Sequence, residues 1–199
     1  MDALEALSTR TSPAALTEPA PDSATMERLL HAAMRAPDHG RLRPWRFIII
    51  DGDARQAFGA ILAEALRARE PSTAESVLDR ERAKPLRAPR IVVVAAELRE
   101  RRGVPEIEQV IAAGAAAQNL LVAAHASGYG GFWRTGQAAY DDTVKHALGL
   151  ASKDAIVGFI YLGTPTGVGP LPAGDGVTRV IRWSGPRWSG TQTESDSGR

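Results

Sequence analysis

The 199-residue chain is 44% hydrophobic, enough to bury a core, and its 24 Lys and Arg nearly cancel 23 Asp and Glu for a net charge of +1. That balance excludes a nucleic-acid footprint, which needs a clear basic excess on one face, and the composition excludes disordered and fibrous classes. Cysteine is absent, which removes disulfides, thiolate catalysis and cysteine-based zinc sites together.

Asp2 to Thr9 reads as a short helix with Leu4 and Leu7 on one side, ended by Arg10-Thr11-Ser12-Pro13. Its acidic start has no apolar stretch of the secretory kind, and no later segment reads as a membrane span, so a cytoplasmic protein is expected. After the extended Pro19-Ala20-Pro21, Asp22 caps a helix to Arg35, with Met26, Leu29, Leu30, Ala33 and Met34 at helical spacing and Pro37 as its stop. The loop Ala36 to Gly40 leads through Pro44-Trp45 to a strand at Phe47–Ile50. Asp53 to Arg69 and Ala74 to Arg82 suit helices, the first capped by Asp53, and Arg87-Ala88-Pro89 introduces a second buried strand at Ile91–Ala96.

The helix from Pro105 to Ser127 is the most informative. Pro105 fits its first position, Glu106 and Glu108 suit the positive end of the dipole, and Gly128 suits the residue beyond its C-cap. Ile107, Val110, Ile111, Gly114, Gln118, Leu121, Val122 and His125 mark one broad face, yet the other side is alanine, so the helix is buried on several sides and suits a subunit interface. A Gly-rich turn then opens a short strand at Gly130–Arg134. Asp141 to Leu148 is a helix, Ile156 to Gly163 a strand, Thr166 to Gly176 a loop, and Val177 to Trp183 an edge or arm strand. One domain over residues 1–183 is expected, with a mobile tail over 184–199.

Several segments bear chemistry, each beside a plainer reading. Arg10-Thr11-Ser12 offers a guanidinium and two hydroxyls that can grip an anion, or it is a helix-end Arg and a turn Ser. Arg35 and His39 flank the Pro37 break, where they converge on a ligand or answer the helix dipole. Gly128 to Gly136 contains four glycines that admit a flat or bulky group beside Trp133, Arg134 and Thr135, or form a tight turn. The four histidines have no metal-ligand spacing. There is no dinucleotide-binding Gly-x-Gly-x-x-Gly, P-loop, Gly-x-Ser-x-Gly or His-Glu-x-x-His.

Taken in order, Met1–Glu5, Arg10-Thr11-Ser12, Met34-Arg35-Ala36-Pro37-Asp38-His39, Pro44-Trp45, Arg87-Ala88-Pro89, the Pro105 helix, Gly130–Gly136 and Val157–Pro165 resemble the nitroreductase family, in its compact bacterial branch. The resemblance implies an α+β fold, a central and mostly antiparallel sheet flanked by helices, in an intertwined homodimer with FMN at each of two interface sites. Carried over by motif, Arg10, Thr11, Ser12, Arg35, His39, Trp133, Arg134 and Thr135 would contact FMN. Ala123, Ala124, His125, Ala126, Ser127 and Gly128 would contact the nicotinamide nucleotide. Thr11 stands where the family pattern has a second basic residue, and Gly40-Arg41-Leu42-Arg43 is more basic than in many relatives.

The implied activity passes hydride from NAD(P)H through FMN to a small nitroaromatic or quinone-like acceptor, with no catalytic side chain required and no metal, nucleic acid or membrane involved. A flavin-binding sensor, carrier or partner-binding module without efficient turnover is the alternative. A structural dimer without a ligand is a third reading.

Overall fold

The computed structural model describes residues 1–167 together with Gly169, Arg182 and Trp183. The expected arm strand and tail lie outside the described residues, apart from Arg182 and Trp183. In chain order the elements are α1 (Ala3–Thr9), β1 (Leu16–Thr17), α2 (Ser23–Ala33), β2 (Trp45–Asp51), α3 (Ala54–Arg69), α4 (Glu75–Ala83), β3 (Arg90–Ala96), α5 (Glu106–Ala126), β4 (Gly130–Arg134), α6 (Asp142–Ala147) and β5 (Ala155–Pro165). Short 3₁₀ turns at His39–Arg41, Lys84–Arg87 and Gln137–Ala139 join them.

β5 is the hub of an antiparallel sheet, pairing with β1, β3 and β4, while β3 carries β2 on its other edge. The apolar run on β3 has a direct cause: Ile91 through Ala96 are all fully buried, because helices cover both faces of this central strand. Alternation then sorts the side chains. Ile91, Val93 and Ala95 join Phe58 and Leu62 of α3 and Phe159 and Tyr161 of β5. Val92 and Val94 join Met26 and Leu29 of α2 and Leu120 and Leu121 of α5, with Ile160 and Leu162. The result is three layers, with α2 and α5 on one side of the sheet and α3 on the other.

Of the two side-chain caps read from the sequence, Asp22 holds and Asp53 does not; Asp2 and Asp141, read as the first residues of their helices, are caps as well. The Asp2 carboxylate accepts from the Glu5 amide at 2.8 Å, Asp22 from Thr25 at 2.8 Å and Asp141 from Thr143 at 2.9 Å. Asp53 is the exception, since its side chain makes no capping hydrogen bond. Helix α2 ends at Ala33, two residues before the expected limit at Arg35. Pro105 precedes α5 as its N-cap and is not its first residue.

Two readings of α5 are corrected. Its alanine side, with Ala112, Ala113, Ala116, Ala117, Leu120, Leu121 and Ala124, faces the sheet, because small side chains let helix and sheet approach closely. Leu121 therefore leaves the broad face proposed from the sequence. What remains outside is a stripe at helical spacing, Ile107, Ile111, Gly114, Gln118 and Val122, of which Ile107 and Ile111 are each 62% exposed. By length and mean hydropathy (1.3) alone α5 would also pass for a membrane-crossing helix. Its buried face belongs to the core of this fold.

Candidate functional site

The predicted site residues fall into three places set by the two ends of α5 and by β4. Arg10, Thr11 and Ser12 follow α1 and sit beside the C-terminal end of α5, where Thr9 Oγ1 and His125 Nε2 hydrogen-bond at 2.9 Å. Arg10 Nη1 donates to the Thr11 carbonyl at 3.1 Å and to Ser12 Oγ at 3.3 Å, so the three residues fold over one another. Pro13 continues against Gly130, where an added Cβ would lie 2.8 Å from the Pro13 ring. Glycine at 130 is thus required by this close approach of the Arg10 segment to the start of β4. Within the nearby 123–128 stretch, Ala124 is wholly buried, whereas Ala126, Ser127 and Gly128 are exposed. The Ala124 side chain points into the core.

His39 lies at the other end of the same helix, and Arg35 follows α2, whose Ala32 carbonyl accepts from Asn119 of α5 at 3.4 Å. His39 Nδ1 pairs with the Glu108 carboxylate in the first turn of α5, which anchors the loop after α2. From residue 108 to 125, α5 rises about 25 Å. His39 is therefore not brought together with Arg10, Thr11 and Ser12 within one subunit. The loop between α2 and β2 is strained. Gly40 has φ 74°, but Arg41 (φ 55°) and Arg43 (φ 48°) also hold the left-handed region, at roughly 1–2 kcal/mol per residue for an L side chain. Asp38 Oδ2 accepts from the Arg43 amide at 2.6 Å and Arg99 donates to the Leu42 carbonyl at 3.4 Å, contacts that hold the loop.

Trp133, Arg134 and Thr135 are at the far end of β4, beside a cavity of about 550 Å³ between α3, the Lys84–Arg87 turn and the sheet. The strand alternation separates the motif. Trp133 packs on the α5 side, its Nε1 donating to the Val157 carbonyl at 3.2 Å. Val157 is the extra residue of a bulge in β5, between Gly158, which pairs with Val94, and Ile156, which pairs with Ala95. Arg134 points to the opposite face and into the cavity, its guanidinium 4.1 Å from the Phe132 ring centre and 5.7 Å from that of Tyr161.

Sequence reasoning missed most of this cavity. Phe58, Phe132, Phe159 and Tyr161 give it aromatic walls, and Arg69, Lys84, Arg87 and Arg134 give it cations. Arg69 is paired with Asp141 and Lys84 with Glu81. Among the described residues Arg87 and Arg134 have no carboxylate within ion-pair distance. Burial pushes the Tyr161 hydroxyl up in pKa, and the nearby Arg134 and Arg87 cations only partly oppose it, so Tyr161 remains a neutral phenol able to donate. The Arg87-Ala88-Pro89 motif was the available signal, but it reads from sequence only as the entry to β3. A flat, anionic aromatic group suits such a cavity: the volume is in the usual ligand range of about 300–1,000 Å³, and the unpaired guanidiniums match phosphate or ring oxygens.

The fold and this arrangement are those of an α+β oxidoreductase. Residues 7–164 match the nitroreductase family, and the chain belongs to that family. It is 42% identical over 165 residues to a protein of Escherichia coli (strain K12) provisionally named NAD(P)H nitroreductase YdjA, covering 83% of this chain and 89% of that one. A nitroreductase-like family protein from Bacillus cereus superposes with a TM-score of 0.80 at 22% identity, covering 93% of this chain and 97% of the other. A protein of Desulfovibrio desulfuricans solved in complex with FMN gives a TM-score of 0.69 at 25% identity, over 92% and 97% of the two chains.

Proposed function

We propose that the chain is an FMN-dependent NAD(P)H oxidoreductase acting as a cytoplasmic homodimer on a small nitroaromatic or quinone-like acceptor. The observation that carries this reading is the aromatic-walled cavity with the unpaired Arg87 and Arg134 beside Trp133 and Thr135. Bound FMN would supply the redox chemistry, relaying a hydride equivalent from the nicotinamide donor to the acceptor. The chain's own residues bind and orient. Arg134 offers a cation to the developing negative charge, Tyr161 a hydrogen-bond donor, and Arg10, Thr11 and Ser12 an anion grip at the start of the same strand.

Distance supports the homodimer. One mononucleotide does not span about 25 Å of α5, so His39 would contact the FMN held by Arg10 only if a two-fold axis brought in that of the partner subunit. The exposed stripe Ile107, Ile111, Gly114 and Gln118, with Leu4 (79% exposed) and Leu7 on α1, supplies an apolar surface for that contact. The 123–128 stretch of one subunit would then approach the loop after α2 of the other, where the donor enters.

An absorbance spectrum of the purified protein, before and after anaerobic NADPH or NADH, tests the proposal. Flavin bands that bleach with a donor are expected. Bound flavin that neither donor bleaches would favour a carrier or sensor, and a protein that takes up no FMN from excess would refute the reading.

A further inference from the structure

The loop between α2 and β2 carries a cluster of which the flavin reading uses only Arg35 and His39. Arg41 and Arg43 display long cationic side chains from left-handed backbone, where glycine would be relaxed. Gly40 leaves no slack beneath them, since a Cβ there would press on Val104 Cγ2 at 3.0 Å. Together with the Asp38, Arg99 and Glu108 contacts described above, this over-determines the loop. Disfavoured conformations held in that way cluster at ligand sites.

The two side chains line one cavity of about 250 Å³ with Arg35, Asp38, Met34 and Trp45. None of its three guanidiniums is in an ion pair among the described residues. The nearby carboxylates are engaged elsewhere, Glu97 with Arg46 and Arg99 and Glu108 with His39. Arg41 and Arg43 exceed the single Asp38 carboxylate by one positive charge, and Arg35, which the flavin reading shares, adds a second. That suits a dianion with three terminal oxygens better than a carboxylate, which one arginine satisfies through a bidentate pair. Half-buried Trp45 adds a flat wall against which a purine can stack.

We propose that this cavity binds the 2′-phosphate of NADPH, so that the chain uses NADPH in preference to NADH. The proposal rests on the oxidoreductase reading above and names the donor for the same site. The experiment uses FMN-loaded protein and the double variant Arg41→Gly/Arg43→Gly, because glycine keeps the left-handed backbone while removing both guanidiniums. Calorimetric titration with adenosine 2′-monophosphate and adenosine 5′-monophosphate compares probes that differ only in the position of the phosphate.

The 2′ compound is expected to bind at least about tenfold tighter to the wild type, a difference lost in the variant. The kcat/KM ratio of NADPH to NADH should fall from above about tenfold toward one in parallel. Equal binding of the two probes, or a donor ratio unchanged in the variant, would overturn the assignment. So would a variant that alters only the KM of a carboxylated nitroaromatic relative to an uncharged one, since the anion would then belong to the acceptor. A protein that takes up no FMN fails the oxidoreductase reading, and this assignment with it. Flavin that bleaches equally with both donors fails the 2′-phosphate assignment alone.

Discussion

Replacing Gly158 by alanine tests whether the β5 bulge and Trp133 form one packing unit. A Cβ on Gly158 would lie 2.1 Å from Trp133 Nε1 and 2.6 Å from Cδ1, so the indole must retreat by more than about 1 Å to reach ordinary contact. It has little room, because the ring packs with the buried cluster that includes Leu120, Leu121 and Ile160. Overpacking of this kind costs about 1–3 kcal/mol, and losing the indole bond to Val157 adds roughly 0.5–1.5 kcal/mol. The sum is about 1.5–4.5 kcal/mol, which in a domain of this size lowers Tm by roughly 3–18 °C. The measurement is thermal unfolding of FMN-free protein, so that lost ligand does not enter, with the near-ultraviolet circular dichroism of the tryptophans as a local readout. If Tm stays within about 2 °C and the tryptophan signal is unchanged, the contact between Gly158 and Trp133 is not as described.

Three further outcomes are expected. No atom outside the helix lies within 4 Å of a Cβ built on Gly114, so in a lone subunit Gly114→Ala should gain about 1 kcal/mol from helix propensity; with a partner on that stripe it should instead weaken dimerisation, by about tenfold or more in sedimentation. Arg134→Gln should raise the FMN dissociation constant about 10- to 100-fold by flavin fluorescence titration, and unchanged affinity would remove Arg134 from the site. Burial opposes ionisation of the Asp141 carboxyl, but hydrogen bonds from Arg69 and from the Val144 and Thr143 amides outweigh it and hold its pKa below the usual 3.8. Ionised Asp141 therefore stabilises the fold above that value and loses its contribution as pH falls through the lower folded pKa. Urea unfolding should show Asp141→Asn weaker than wild type at neutral pH, with the gap closing in acid; a gap that ignores pH would contradict this.

The strands were legible where side-chain chemistry forces them. Ile91 to Ala96 has no polar residue to place outward, so only a strand covered on both faces accommodates it. Leu16–Thr17 was invisible because two residues carry no periodicity; their pairing is supplied by Pro165 and Thr164 across the sheet. The sheet-facing side of α5 was misjudged for a related reason. Both sides are apolar, so the pattern has little direction, and what decides is size: alanine lets the sheet come close, while Ile107 and Ile111 hold it off.

At the site, contiguity in sequence misleads in one place. Trp133-Arg134-Thr135 reads as a single contact surface, but a strand sends neighbours to opposite faces. A ligand in the large cavity would meet the guanidinium of Arg134, whereas the ring of Trp133 packs on the α5 side and donates to Val157. Tyr161 and Phe159, spaced by two on the paired β5, reach the cavity for the same reason, although both sit inside an apolar run that from sequence says only core. Lys84 and Arg87 add their charge from a turn between elements, where a basic residue ordinarily means a solvated loop. The chemistry of the cavity thus depends on strand register and on the path of one turn, and neither is written in the residues that line it.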